Sequence, residues 1–512
     1  MSTDVQWSSR LTFILAGIGA AIGLGNLWRF PYVCYDNGGG AFLIPYIIAL
    51  LVAGIPLWLM ESAFGYRARA GVPGSFRMLI GRKTAWIGWL VVILTIILMA
   101  YYSVIMAWGV NYIGFAATLA WGSDPAGFFY NTFLRLSPDI FTLGGMNWLV
   151  VLGALISWTA VYVSIFRGIR SVEKVVWLTV LLPWAFLIVM VVRGVTLPGA
   201  FDGLSYYLTP DFAALMRPGV WVAAFGQIFY SLSIGMGIMI AYAKFLPDRH
   251  DLVRSGLLIC IANGITSFVA GIAVFSTLGY LAHTTGMPVS EVVEGGIELA
   301  FVVYPAAISL LPLAPEIFGI LFFVMFVTLA VDSIFAAVEG ISISLQDYIA
   351  APPVRLSAMV CVGIFLAALL FMTEGGLYWL DLVDSYYNSF AVLIVGILEA
   401  VVIGHLYGAG RLRRFMNASA SRPVGRWWDV SIGYLVPAVL IVAVAANLVD
   451  RIAAPYGGYP PLAQAAGWAL VAGAPIAAVA ISRRFDGGPG AARDADIAAQ
   501  ARPADPGEPA RD

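Results

Sequence analysis

Charge is what these 512 residues have least of: Asp, Glu, Lys and Arg together make up 11% of the chain. Soluble chains average about 25% charged residues, so this sequence lacks the polar surface a soluble fold needs. Its charges also nearly cancel, 28 Lys and Arg against 29 Asp and Glu. No basic stripe survives outside short loops, which argues against nucleic acid as a partner. Cysteine is rare, and Cys34, Cys260 and Cys361 all lie within or at the ends of apolar segments. They form no disulfide framework. The three histidines, His250, His283 and His405, are scattered, and no HExxH or CxxC pattern occurs. With no metal motif and no nucleophile–base pair, an enzyme is not indicated.

What the chain has is apolar length, with 61% hydrophobic residues and a mean hydropathy of +0.89. A bilayer span needs roughly 20 apolar residues. Twelve such stretches can be placed, near 11–35, 41–66, 86–118, 147–166, 175–193, 218–243, 252–282, 317–350, 355–373, 377–407, 428–449 and 464–482. The first starts at Leu11 with no basic region before it and no small-residue cleavage site, and it outruns a signal peptide, so it reads as a retained span. The expected fold is an all-α polytopic membrane protein of 12 transmembrane helices.

The cations set its orientation. Residues 1–10, the loops after even-numbered spans and the segment after span 12 hold 23 of the 28 Lys and Arg residues. The opposite side holds only Arg135, Arg193, Arg217 and Arg451, and Arg29 alone sits within a span. By the positive-inside rule both termini are cytoplasmic. The connections 119–146, 194–217 and 284–316 are then external, the last carrying Pro305, Pro312 and Pro315 and read as short helices folded over the protein. Residues 484–512 turn to Gly, Pro, Ala and alternating charge, a composition expected to form a disordered tail.

A repeat is expected from the parity. Spans 1–5 occupy residues 11–193 and spans 6–10 occupy 218–407, with spans 11 and 12 following within 428–482. Five is odd, so two five-span units must be inverted relative to each other. The first span of each unit is also interrupted in the same way. Span 1 has four glycines in nine residues, Gly17, Gly19, Gly23 and Gly25, ending at Asn26; span 6 reads Ser231-Leu-Ser233-Ile-Gly235-Met-Gly237. Glycine inside a helix costs about 1 kcal/mol against alanine, and lipid offers no water to freed backbone groups. Taken alone, Gly17 and Gly19 could equally serve close helix packing. Paired interruptions in two halves point to a midplane binding site between discontinuous helices 1 and 6.

The motif Gly23-Leu-Gly25-Asn26-Leu-Trp28-Arg29-Phe30-Pro31, followed by Asn37-Gly-Gly-Gly40-Ala-Phe-Leu-Ile-Pro45-Tyr46, resembles the first two spans of the neurotransmitter:sodium symporters. Ile55-Pro56-Leu-Trp-Leu-Met-Glu61 and Gln227-Ile-Phe-Tyr230-Ser231-Leu-Ser233-Ile-Gly235-Met-Gly237 extend the resemblance, which covers all twelve spans. It implies two sodium ions as coupling ions. One would be held by the Ala21 carbonyl, Asn26, Ser231, Asn263 and the substrate carboxylate; the other by carbonyls of Gly19, Ile22 and Leu329 with Asp332 and Ser333. On its own, Asn263 would read as a packing amide and Ser231 as a back-bonded serine. Asp332 differs, because a carboxylate inside an apolar span is costly and functional by default.

The substrate follows from span 1. Amine transporters resembling this motif carry Asp where Gly23 stands. Glycine there leaves room for a carboxylate on the substrate, which the resemblance assigns to the Leu24 and Gly25 amides and the Tyr102 hydroxyl. The substrate ammonium would meet Ala21, Tyr230, Ser231 and Ser233, and Leu98, Ile105, Tyr230, Met236, Ser333 and Ala337 would line an apolar, roomy side-chain pocket. A hydrophobic or aromatic α-amino acid is expected. Chloride is expected as well. Many bacterial relatives place glutamate where Ser267 stands, whereas the chloride-binding set of animal relatives matches Tyr46, Gln227, Ser231, Asn263 and Ser267 here.

The gates carried over are Arg29 with Asp384 outside, roofed by Tyr102 and Tyr230, and Asp347 with the aromatic plug Trp7 inside. The usual partner arginine of Asp347 is replaced by Asp4, leaving Arg10 as a nearby cation, and Glu61 is read as a ligand to unwound backbone of span 6. The expected function is sodium-coupled amino acid import by alternating access, spans 1, 2, 6 and 7 rocking against 3, 4, 8 and 9. A membrane amino acid sensor that keeps the site but transports poorly is the alternative, favoured only by Asp4. The missing disulfide in 119–146 and the modest length suggest a bacterial inner membrane.

Overall fold

The computed structural model describes residues 6–292 and 295–485. Asp4 and nearly all of the 484–512 tail lie outside the described residues. The chain opens with a bent pair, α1 (Arg10–Ala21) and α2 (Gly25–Asp36), whose axes differ by 55°. It continues through α3 (Gly40–Ala68), α4 (Arg82–Ala116), α5 (Trp148–Ile165) and α6 (Ile169–Val195). A second broken segment follows, α7 (Pro218–Ser231) and α8 (Ile238–Ala243). The rest is α9 (Leu252–Thr285), the shorter α10 (Gly296–Ser309), α11 (Pro315–Gln346), α12 (Pro353–Met372), α13 (Gly376–Asn417), α14 (Trp427–Gly458) and α15 (Pro461–Phe485).

Ten of these helices are each long and apolar enough to cross a bilayer, and the α1–α2 pair passes the same test when taken as one. The protein is a multi-pass helical membrane protein. Its apolar exterior fits that solvent: on α6, Leu178, Leu181, Ile188 and Val192 are all exposed. In water such a face would be a binding patch; in lipid it is the ordinary surface. Three boundaries differ most from the sequence reading, and in one of them α14 runs to Gly458 rather than 449. In the other two, α6 begins at Ile169 rather than 175, and α13 runs on to Asn417 rather than 407. The α6 and α13 extensions are charged turns (Arg170, Glu173 and Lys174; Arg411, Arg413 and Arg414) that hydropathy truncates but backbone hydrogen bonding does not.

Local chemistry explains the ends that matter. α1 starts in a capping box, Ser9 Oγ accepting from Thr12 N while the Thr12 hydroxyl accepts from Ser9 N. It stops at Ala21 because Ile22 turns to extended backbone (φ −85°, ψ 106°). The α7–α8 break is held open by three left-handed residues, Ser233 (φ 53°), Gly235 (φ 76°) and Gly237 (φ 68°). Two of the three are glycine, the residue that occupies this region without steric cost.

The broken pairs lie inside the bundle. α4 packs along α11, α1 lies against α6, α9 and α11, and α8 is wedged between α3 and α11. Gly65 permits the α3–α8 approach, since a Cβ there would fall on the Ile240 carbonyl. Gly65→Ala should therefore lower the unfolding temperature of the purified protein, with an overpacking cost of about 1–3 kcal/mol. Gly114→Ala, at a position with nothing within 4 Å, should leave it unchanged or slightly raised. Equal unfolding temperatures for the two variants would contradict the packing.

Candidate functional site

The two breaks face each other across a small pocket of about 30 Å³. Its walls come from Ala21, Gly23, Leu24, Gly25 and Asn26 of the first break and from Tyr230, Ser231, Ser233, Met236 and Ile238 around the second. Leu98, Met99 and Tyr102 of α4 and Ser333 of α11 complete it. Of the residues expected to contact substrate, Ile105 and Ala337 are buried outside this lining. Met99 and Ile238 line it although the sequence reading did not single them out. Both read as ordinary core in an apolar run, and only the helix rotation turns them inward.

Freed backbone groups are satisfied by side chains. Gly23 N–H donates to Asn26 Oδ1 (3.0 Å), and Leu24 N–H donates to the Tyr102 hydroxyl (3.3 Å). Ser233 Oγ donates to the Ala20 carbonyl (2.9 Å), and Gln227 Nε2 donates to the Gly25 carbonyl (3.3 Å). Gly235 N–H donates to Glu61 Oε1 (2.7 Å), which is the backbone-ligand role expected of Glu61. With Gly23 N–H turned away, the Gly19 carbonyl is released from the donor that an unbroken helix would supply four residues on.

Side-chain room at Gly23 is limited. A Cβ there would lie 2.7 Å from Ser333 Oγ and 3.2 Å from the Tyr102 hydroxyl. At Gly25 a Cβ would meet the Tyr230 ring at 2.5 Å. These contacts bring the backbone of the first break close to Tyr102, Tyr230 and Ser333.

Beside the pocket, Asp332 is 2% exposed, and its Oδ1 has no hydrogen-bond partner. Its Oδ2 lies 2.9 Å from the position a Cβ on Gly19 would take, and Thr179 of α6 also faces it. A bare carboxylate oxygen, backbone carbonyls and hydroxyls form an all-oxygen donor set, the kind a hard monovalent cation takes. Next to it lies a buried amide and hydroxyl cluster. The Asn263 amide is 2.9 Å from that of Asn26, 3.1 Å from the Ser231 hydroxyl and 3.1 Å from the Ala21 carbonyl. Asn26 Nδ2 donates to Ser267 Oγ (2.8 Å), and the Tyr46 hydroxyl donates to the same oxygen (3.4 Å). Gln227 Oε1 is buried without a partner. No carboxylate belongs to this cluster.

The two ends of the bundle are closed differently. At one end Trp7, 4% exposed, donates from its indole to the Tyr242 carbonyl (3.0 Å) and packs on the Tyr242 ring at 5.4 Å. There Asp347 pairs with Lys244 (3.0 Å) and accepts from Gly71 N–H (2.6 Å). Lys244 therefore supplies the cation that Arg10 might have supplied. Arg10 instead donates from Nε to Ser255 Oγ (3.1 Å). The signal for Lys244 was present, since it ends the apolar run of α8, but only the fold brings it across to α11. At the other end Arg29 and Asp384 form no ion pair; the Arg29 guanidinium lies over the Tyr230 ring, 4.6 Å from its centre. Asp384 accepts from Asn388 Nδ2 (2.8 Å).

His250, in the loop between α8 and α9, belongs to the Trp7 end. Its ring Nε2 is 3.0 Å from Ser255 Oγ, and Phe13 packs edge-on at 5.4 Å. Burial, and then the charge of Arg10, push its pKa down to about 4 from 6.5. The folded chain thus keeps His250 neutral at pH values where the unfolded chain protonates it. Stability should fall as pH is lowered from about 6.5 towards 4. His250→Gln should flatten that limb of an unfolding-temperature profile; an identical profile for the variant would count against this assignment.

Comparisons with known proteins agree with one another. The sodium:neurotransmitter symporter family matches residues 5–126 and 122–485. An uncharacterised sodium-dependent transporter of Methanocaldococcus jannaschii is 39% identical over 456 residues, covering 89% of this chain and 92% of that protein. The human sodium- and chloride-dependent GABA transporter 2 is 35% identical over 520 residues, covering 91% of this chain and 84% of its own. The bovine sodium- and chloride-dependent creatine transporter 1 is 34% identical over 513 residues, covering 91% and 80%. With these matches spanning the helices that build the pocket, the chain belongs to the sodium:neurotransmitter symporter family, a family of transporters and not of enzymes.

Proposed function

We propose that this protein is a sodium-coupled symporter that imports an α-amino acid with an apolar or aromatic side chain, with chloride as a further ion. One observation carries the reading: a pocket whose polar groups come from two helix breaks together with Tyr102 and Ser333, set beside a buried carboxylate with an unpartnered oxygen. Counting α1–α2 and α7–α8 as one span each gives twelve spans, and their paired breaks support two inverted five-span units. The arginine and lysine asymmetry supports cytoplasmic termini, and in this reading the Trp7 end faces the inside of the cell, in a plasma membrane of bacterial type.

Within this reading the substrate carboxylate lies at the start of α2, where the helix dipole and unpaired N–H groups favour an anion. The Leu24 and Gly25 amides and the Tyr102 hydroxyl would hold it, with the ammonium towards Ala21, Tyr230, Ser231 and Ser233. Gly23 supports a carboxylate on the ligand over one on the protein, because Ser333 and Tyr102 crowd any side chain there. The relatives' named substrates, GABA and creatine, also carry a carboxylate. Leu98 and Met236 supply apolar wall, and Met adapts to different shapes.

Sodium is cargo. One ion would use the Ala21 carbonyl, Asn26, Ser231 and Asn263 together with the substrate carboxylate; the other would use the Gly19, Ile22 and Leu329 carbonyls with Asp332 and Ser333. Sharing the carboxylate couples substrate to ion, because each completes the other's ligand set. A chloride among Tyr46, Gln227, Ser231, Asn263 and Ser267 would offset the added positive charge, and the sodium- and chloride-dependent relatives support it. Binding that favours one arrangement of the two ends shifts the population towards it, which is alternating access with Trp7 and Lys244–Asp347 as the inner closure.

Thermal unfolding of the purified protein with each of the twenty amino acids tests the site, in sodium chloride, choline chloride and sodium gluconate. A ligand at a hundredfold its Kd stabilises the folded state by about 2.7 kcal/mol. A few apolar amino acids should raise the unfolding temperature in sodium chloride, less in gluconate and not in choline. Asp332→Asn should remove most of the sodium dependence. No response to any amino acid in sodium chloride would refute the substrate class, and undiminished uptake in gluconate would refute the chloride assignment. Uptake into proteoliposomes distinguishes a transporter from a sensor with the same pocket.

A further inference from the structure

Other acids within the bundle have neighbours: buried Glu61 holds Gly235 N–H, buried Glu399 lies against Glu61, and half-buried Asp347 at the Trp7 end holds Lys244 and Gly71 N–H. Glu339 of α11 has no such partner. It is 2% exposed, its Oε2 is buried without a hydrogen bond, and no charged group bears on it among the described residues. A buried acid with an unpartnered oxygen is uncommon in a packed interior, and a cation passing this point would supply the missing partner.

Its surroundings say where that charge travels. Glu339 lies seven residues after Asp332 on α11, two turns along one face and about 10 Å down the axis. Tyr242 of α8 bears electrostatically on both carboxylates, and its hydroxyl is buried with no partner. Three oxygens, Asp332 Oδ1, Tyr242 Oη and Glu339 Oε2, are each buried without a partner, and along α11 Glu339 lies on the Asp347 side of Asp332. At the far end Glu339 Oε1 faces Gly168 in the α5–α6 turn, 3.2 Å from where a Cβ would sit. Gly168 is in left-handed backbone (φ 65°), so the gap beside Glu339 is kept clear of side chain. Trp7 covers Tyr242 by its bond to the Tyr242 carbonyl and its ring contact. Cys361 of α12 closes the side and brings no charge.

We propose that Glu339 and the Tyr242 hydroxyl form a transient sodium site, a stop between Asp332 and the cytoplasm through which the ion leaves once Trp7 withdraws. The inference rests on the symport reading above. Two protein oxygens with water completing the shell make a weak site for a hard cation, and a release path needs a stop that is favourable to enter and easy to leave.

The test is radioactive sodium efflux from proteoliposomes, with sodium-dependent thermal stabilisation measured in parallel. Glu339→Gln should keep the half-stabilising sodium concentration within twofold of the parent while slowing efflux at least tenfold. Glu339→Asp should retain at least half the parent rate. Efflux within twofold of the parent in Glu339→Gln would overturn the proposal. So would a matching loss of sodium affinity and unfolding temperature, which would mark a merely structural residue. Should Glu339→Gln fail to fold, Tyr242→Phe decides: about threefold slower efflux is expected, and an unchanged rate overturns the proposal. A parent protein without sodium flux would instead refute the symport reading itself.

Discussion

A helix that breaks inside a bilayer must find hydrogen-bond partners within the protein, because lipid supplies none. That constraint organises this molecule. Two segments break near the centre of the bundle, and several of the freed groups meet side chains. Asn26 takes Gly23 N–H, Tyr102 takes Leu24 N–H, Glu61 takes Gly235 N–H, and Ser233 and Gln227 cover the Ala20 and Gly25 carbonyls. Each of these polar side chains is buried or half-buried for the sake of the backbone. Three of them, Asn26, Tyr102 and Ser233, also line the pocket, so the device that makes the fold possible also helps to make the site.

The groups left over are as informative as those satisfied. Among the buried atoms without partners are Asp332 Oδ1, Gln227 Oε1, the Tyr242 hydroxyl and Glu339 Oε2, along with both Glu399 oxygens and several indole and hydroxyl groups. In a low-dielectric interior an unpaired polar atom is expensive, and such atoms are retained where a ligand or ion supplies what the chain does not. The placement of the first four beside and below one pocket gives the bundle a polar line through an apolar medium. The ends of that line are asymmetric. One is shut by an indole and an ion pair, the other by a guanidinium lying on a tyrosine ring. An ion pair linking α8 to α11 is broken in one step when those helices separate, whereas a stacked ring can slide.

Much of this was legible beforehand because membrane sequences obey few rules strictly. Apolar runs of span length fixed nearly every long helix, and clustered glycines located both breaks. The spacing of Asn26, Ser231, Asn263 and Ser267 means little along the chain, since 241 residues separate the first from the last. The family resemblance, and not periodicity, named them as one cluster. Helix ends at α6 and α13 were misjudged because hydropathy measures lipid contact while the backbone continues its hydrogen bonds into charged turns.

By itself, then, the sequence determined the helical class, the places where helices must break and the side chains available to repair them. Those follow from local chemistry: hydropathy, glycine backbone freedom and capping. Tertiary structure alone decided who meets whom. It chose Lys244 over Arg10 for Asp347, set Arg29 on Tyr230 without pairing it to Asp384, turned Met99 and Ile238 inward while Ile105 and Ala337 fell outside the lining, and left Glu339 alone. The reason is geometric: which face of a uniformly apolar helix points inward is fixed by packing against its neighbours, and no periodicity in an all-apolar span records it.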